Sequence, residues 1–231
     1  MESLEYDLSQ GWSRGLKIIF GNAETSKNFN LKTAFHLKQV HGNQITRLGS
    51  SDITRPSPLE ESDGMMLQGD WYRSCKRPLL IKSADCVPLF YIDRMSESLA
   101  AVHAGWRGIQ KGIHLKPFET GDFNPKTTWV WCGPSLNNFE VKSDMWKQFP
   151  ASRICAPFFN PGADAETKLF SPWEYLAADF KKLGVDIFYN CEVNTQEDAD
   201  FWSYRREKNA GRLTEDGRSA GLNYSWISFS G

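Results

Sequence analysis

The sequence lacks a CxxC pair, holds only four histidines, contains no long apolar run and carries almost no net charge; each shortage narrows what the chain can be. Its five cysteines, Cys75, Cys86, Cys132, Cys155 and Cys191, are odd in number and unpaired in spacing, which argues against a disulfide framework and suits a reducing compartment. Lys+Arg 27 against Asp+Glu 28 leaves a formal charge of -1, so no global field draws the chain toward nucleic acid or an anionic membrane. The opening MESLEYDLSQ carries acids where a secretion signal needs a basic end and an apolar run, and no apolar stretch reaches about 18 residues. A soluble cytoplasmic chain is expected. With His36, His41, His103 and His114 as the whole imidazole supply, any metal or acid–base site draws on a short list.

Against these shortages stands an ordinary globular composition. The 231 residues are 40% hydrophobic, with Trp 9 and Phe 15, enough for a real core, and no linker or repeat divides them, so one domain over residues 1–231 is expected. Short apolar runs rich in β-branched and aromatic residues read as strands: LKIIF (16–20), PLLIK (78–82), VPLFYI (87–92), LAAVH (99–103), TTWVW (127–131), VDIFY (185–189) and YSWISF (224–229). SPWEYLAADFKKLG predicts a helix. Ser171 and Glu174 form its capping box, Pro172 takes the first position, Gly184 closes it, and Trp173, Leu176, Ala177, Phe180 and Leu183 line its apolar face. A second helix is expected from about Gly105–Gly108 to Lys116, and a short third over SDMWKQF. Many strands and few helices predict an α+β domain.

Three metal-capable side chains stand at the ends of apolar runs: His41, Cys86 and His103. A His, Cys, His set matches catalytic zinc, which takes three nitrogen or sulfur ligands and leaves the fourth position open. Spacing alone equally supports a plainer account, a buried cysteine beside two hydrogen-bonded histidines. Asp85, at the end of an apolar strand, needs a partner, and a histidine N–H or a backbone turn would supply one.

The motifs KQVHG (38–42), DGM (63–65), SADCVPL (83–89), AAVHAGWRG (100–108), CGPSL (132–136), FEV (139–141) and FWSYRRE (201–207), with GR at 211–212, occur in the order of a known family. In them the chain resembles the YfiH-like, laccase-domain or polyphenol-oxidase proteins, whose members are described as purine nucleoside phosphorylases. The resemblance runs over about residues 16 to 229. It implies a single-domain α/β/β/α sandwich of mixed sheets, similar to a cysteine-hydrolase-like fold. It also implies a zinc-dependent phosphorylase for purine nucleosides, including methylthioadenosine, with adenosine deaminase activity. His41, Cys86 and His103 are the implied Zn²⁺ ligands. The chain departs from the family between its first strand and KQVHG, where the usual longer segment is short, which bears on substrate preference.

The remaining assignments combine residue chemistry with what the resemblance implies about substrate and partners. Four histidines cannot supply the imidazoles of a multicopper oxidase. A metal-free alternative makes Cys86 the nucleophile of a Cys–His hydrolase or amidase, with His103 or His41 as base; the family resemblance implies a conjugate such as a peptidoglycan precursor as its substrate. A catalytically reduced nucleoside-binding protein is a third reading. Arg107 is read either as a brace or as a fork for phosphate or ribose, and Arg205, Arg206 and Arg212 as anion-binding cations. Asp85 or Asp63 is the candidate proton donor, and Trp106, Trp202 and Tyr204 are candidates for stacking on the base. Cys132 is expected to pack, and Cys75, Cys155, Cys191, His36 and His114 to be ordinary thiols and structural or surface histidines. The expected partners are a purine nucleoside and phosphate, with no nucleic acid or membrane, and the chain is read as a monomer.

Overall fold

The computed structural model describes residues 3–9, 14–68, 72–73 and 76–229; Cys75 lies outside them. Its centre is a mixed six-stranded sheet in the order β12 (Ile187–Asn190), β8 (Thr128–Cys132), β6 (Val87–Asp93), β7 (Ser98–Ala104), β4 (Gly64–Gln68) and β3 (Ile45–Leu48). A four-stranded sheet, β1 (Leu4–Asp7), β2 (Leu16–Phe20), β13 (Asn223–Phe229) and β5 (Leu79–Ser83), packs against one face of it. Each of the seven apolar runs read as strands overlaps a strand of these two sheets, with Pro78, Thr127, Val185 and Asp186 falling just before theirs.

Burial explains the layering. Every residue of β6 and β7 is buried, as expected for strands covered on both faces rather than alternating inside and outside. Phe90 and Ile92 of β6 face Leu16, Ile18 and Phe20 of β2 and Leu79 and Ile81 of β5 in the core between the sheets. Leu89 and Tyr91 point the other way, into a second core with Leu176 and Phe180 of the long helix α5 (Pro172–Leu183). Each such aliphatic or aromatic side chain contributes about 1.5–3 kcal/mol on full burial. The outer face of the four-stranded sheet is covered by Ala34, Phe29 and Leu31, close to α1 (Ala23–Asn28). The chain is therefore an α+β fold of two facing sheets with helical cover outside each.

The helical details differ from expectation. The helix foreseen from Gly105 to Lys116 breaks into α2 (Trp106–Gln110), a 3-10 turn at Ile113–Leu115 and α3 (Lys116–Glu119), because Gly112 adopts φ +75. SDMWKQF supplies only the single turn α4 (Ser143–Trp146). On α5, Gly184 does close the helix with φ 80, but Ser171 makes no side-chain cap and no capping box forms. The Asn137 side chain instead accepts from Trp173 N at 3.3 Å, satisfying an orphan donor of the first turn from outside the helix. The buried face also turns toward Tyr175, leaving Leu183 at 39% exposure. A three-stranded sheet, β10 (Phe159–Pro161), β11 (Thr167–Phe170) and β9 (Phe139–Lys142), had no clear signature in the sequence. Among the described residues no helix is long and apolar enough to cross a membrane.

Candidate metal centre

The ends of several strands meet where the chemistry-bearing motifs lie. β7 pairs with the start of β6, Pro88 opposite His103, and with the start of β4, Gly64 opposite Val102. Just before β4, the Asp63 carbonyl accepts from His103 N at 2.7 Å. Its carboxylate then reaches the ring of His103, with Nδ1 to Oδ1 at 2.8 Å and both side chains buried. This bond uses Nδ1 and leaves Nε2 as the ligating nitrogen of His103, the usual way a carboxylate orients a metal-binding imidazole.

The same carboxylate places His41. Three successive backbone amides, Val40 N at 3.3 Å, His41 N at 2.9 Å and Gly42 N at 2.5 Å, donate to Asp63. Such a run of amides forms a nest for an anion, and it requires His41 in the left-handed region at φ 59, which histidine visits more readily than most residues. One buried aspartate thus holds both histidines, one through its ring and the other through its backbone.

Cys86 arrives on the turn between β5 and β6 and completes the set. The ligand atoms of His41, Cys86 and His103 lie within 4.8 Å of one another, and among the described residues no other histidine, cysteine or acidic group forms such a cluster. Donors on a tetrahedral zinc stand about 3.3–3.6 Å apart, so a small inward movement closes the three onto one ion. Gly105 keeps the space: a Cβ there would sit 3.0 Å from Cys86 Sγ and 3.0 Å from His41 Cδ2. Its φ of −72 is ordinary, so this glycine is needed for close approach, not for the turn. Gly108 serves likewise, since a Cβ would meet the Gly42 carbonyl oxygen at 2.9 Å.

The electrostatics describe a coupled thiolate–imidazolium pair, whose ring proton a bound metal would displace. Burial alone would push the Cys86 thiol up, but His103 and His41 outweigh it and pull the thiol down from 9.0 to about 6. Burial alone would push His103 down, but Cys86 and Asp63 raise it from 6.5 to about 9. Asp63 is lowered: the His103 ring and the Gly42 and His41 amides overcome its burial. The thiol therefore ionises readily, as a metal-binding or nucleophilic cysteine must.

The other predicted residues are placed as follows. Asp85 does not meet a histidine. Its Oδ1 accepts from Thr195 Oγ1 and its Oδ2 from Arg205 N, both at 2.7 Å. Arg206 is committed to three carbonyls, Thr195, Asp198 and Phe201, and Arg212 is paired with Glu207, so the expected trio of anion-binding arginines is not assembled. Arg205 lies over the Phe139 ring at 5.3 Å. Arg107 is exposed and lies over the ring of its neighbour Trp106 at 4.4 Å. Trp202 is half-buried and Tyr204 exposed. Cys132 is fully buried, Cys155 exposed, and burial pushes the Cys191 thiol up to about 12. His36 and His114 are both buried. Sequence reasoning ranked Asp63 no higher than Asp85, although its place directly before an apolar strand was the available signal; Thr195 gave none.

Residues 21–216 match the family model described as multi-copper polyphenol oxidoreductase laccase. The chain belongs to that family. An Escherichia coli relative named purine nucleoside phosphorylase YfiH is 27% identical over 182 residues, 77% of this chain and 70% of the relative. A Haemophilus influenzae relative named purine nucleoside phosphorylase is 27% identical over 191 residues, 79% of this chain and 72% of the relative. In fold the chain is similar to the Neisseria meningitidis protein NMB0706, with TM-score 0.74 and 21% identity across all of both chains. It is also similar to the Bacillus licheniformis hypothetical protein YfiH, with TM-score 0.73, 16% identity and 94% of each chain covered.

Proposed function

We propose that this family member is a zinc-dependent purine nucleoside phosphorylase that also acts on methylthioadenosine and deaminates adenosine. The observation that carries the reading is the convergence of His41, Cys86 and His103 on one point, with Asp63 fixing both histidines. Two nitrogens and a thiolate suit Zn²⁺, and when bound there the ion supplies Lewis-acid polarisation of an oxygen at its open position. The relatives' names support a purine nucleoside and phosphate as the small-molecule partners; as part of the same proposal, one domain over residues 1–231 handles them as a cytoplasmic monomer.

The chain's own residues do the rest. Asp63 holds the Nδ1 proton of His103, keeping Nε2 free to ligate, and fixes the backbone on which His41 stands. Arg107 and Arg205 are the substrate-binding cations, since neither guanidinium is drawn into an ion pair among the described residues. Arg206 and Arg212 support the wall built from α6 (Tyr204–Asn209) instead. Trp106, beside Arg107, offers a ring for the purine.

A second reading has its own observation. Cys86, His103 and Asp63 form a thiol, imidazole and carboxylate series, the arrangement of a cysteine hydrolase. The deciding experiment measures metal content of the purified protein and incubates it with inosine or adenosine and phosphate, following free base by chromatography. Stoichiometric zinc with base release, both lost in Cys86→Ala, supports the phosphorylase. Metal-free protein with alkylation-sensitive hydrolysis of a conjugate overturns it in favour of the hydrolase.

A further inference from the structure

We propose that Asp85 is a positioning residue for Cys86: its carboxylate clamps the cysteine-bearing turn to two distant segments and thereby sets where the thiolate sits in the triad. This deepens the metal-site reading above and rests on it.

Asp85 stands immediately before Cys86 and adopts φ 91, a left-handed conformation costly for any residue with a Cβ and free for glycine. A turn that needed only this backbone would be served by glycine. What aspartate adds is its two oxygens, and both are used. Oδ1 accepts from Thr195 Oγ1 at 2.7 Å across 110 residues of chain, and Oδ2 accepts from Arg205 N at 2.7 Å across 120. The Asp85 carbonyl also accepts from Leu136 N at 2.9 Å, so three segments converge on this one residue.

The far side of the clamp is anchored. Thr195 is fully buried, its amide donates to the Ser135 carbonyl at 3.1 Å, and its carbonyl accepts from Arg206 at 2.7 Å. α6 is capped by the Ser203 hydroxyl, which accepts from Arg206 N at 3.1 Å. The near side is one peptide bond from the Cys86 Cα, so a rotation at Asp85 moves Sγ directly. Sγ lies against the Gly105 backbone, in the space a Cβ would fill at 3.0 Å, so its place in the triad is set from the Asp85 side. Asp85 thus relates to Cys86 as Asp63 does to His103 and His41, except that it acts entirely through the backbone. With both oxygens engaged and no histidine in reach, it is not placed to deliver the proton that leaves with the base.

The test uses the metal-free protein titrated with Co²⁺, following thiolate-to-cobalt absorption and measuring affinity by chelator competition, in wild type, Asp85→Asn, Asp85→Gly and Thr195→Val. Wild type is expected to take one equivalent with a thiolate band. Asp85→Asn should lose affinity about 10–100-fold, the usual cost of removing a group that orients a ligand, with the band altered. Asp85→Gly, which relieves the backbone but lacks the carboxylate, should lose at least as much. Thr195→Val, which removes one bond of two, should lose less. Wild-type affinity and spectrum in Asp85→Asn, with phosphorolysis lost, would overturn the clamp and make Asp85 the proton donor. If the Asp85 variants do not fold, unchanged affinity and spectrum in Thr195→Val overturn it. A wild-type protein with no thiolate band overturns the triad itself, a different failure read from a different sample.

Discussion

Among the described residues two His–Asp pairs of similar length are joined through opposite ring nitrogens, Nδ1 of His103 and Nε2 of His114. His103 meets Asp63 at 2.8 Å, and His114 meets Asp179 at 3.0 Å; both rings are buried. Their surroundings separate them. Asp63 spends its remaining capacity on the amides of residues 40–42, and the second nitrogen of His103 faces Cys86 and His41. Asp179 also takes the Arg153 guanidinium at 2.8 Å, and that guanidinium covers the rings of Phe158 and Tyr175. His114 sits edge-on to Tyr175 and Phe180, and its Nδ1 is buried without a hydrogen-bond partner among the described residues. The pair alone therefore defines no chemistry. A histidine oriented by aspartate becomes a metal or acid–base residue when its free nitrogen faces further donors, and a packing latch when it faces aromatic carbon.

The sharpest way to break this contrast is to remove the third donor. Cys86→Ala should lose stoichiometric metal and reduce base release to background, whereas Cys132→Ala, in the core, should retain both; elemental analysis and chromatography read the two. Next in size, Asp63→Asn should weaken metal binding about 10–100-fold by chelator competition, because the amide cannot accept from the His103 ring and the 40–42 amides together. On the other pair, His114→Ala should cost about 1–3 kcal/mol in denaturant unfolding and leave metal content unchanged. The smallest effect is one of pH. Burial tends to raise Asp179, but bonds from His114 and Arg153 outweigh it and hold it below its ordinary 3.8. Its stabilising contribution is therefore complete above that ordinary value and is lost as pH falls through the lower folded one. Asp179→Asn should flatten the acid limb of an unfolding curve and leave the neutral region nearly parallel to wild type.

The same contrast marks how far sequence reading reaches. Strands came through because their signal is local: runs such as VPLFYI and LAAVH need only their own composition to declare two buried faces. The clustering of His41, Cys86 and His103 was legible because the motifs that carry them are specific. Asp63 and Asp85 looked interchangeable, each an aspartate beside a strand, since their roles depend on partners 40, 110 and 120 residues away. Arg206 reads as an anion site in the sequence, yet its guanidinium donates to three carbonyls, and backbone partners leave no residue-type signature. The capping box on α5 failed for a similar reason: Asn137 supplied from another loop what Ser171 was expected to supply locally.

The central claim is that His41, Cys86 and His103 together hold one metal ion. X-ray absorption at the zinc edge of the purified, zinc-loaded protein tests it most directly. The account predicts one sulfur at about 2.3 Å, two imidazole nitrogens at about 2.0–2.1 Å and a light fourth ligand, with the sulfur shell absent in Cys86→Ala. A first shell without sulfur in the wild-type protein, or one with the same sulfur retained in Cys86→Ala, would contradict it.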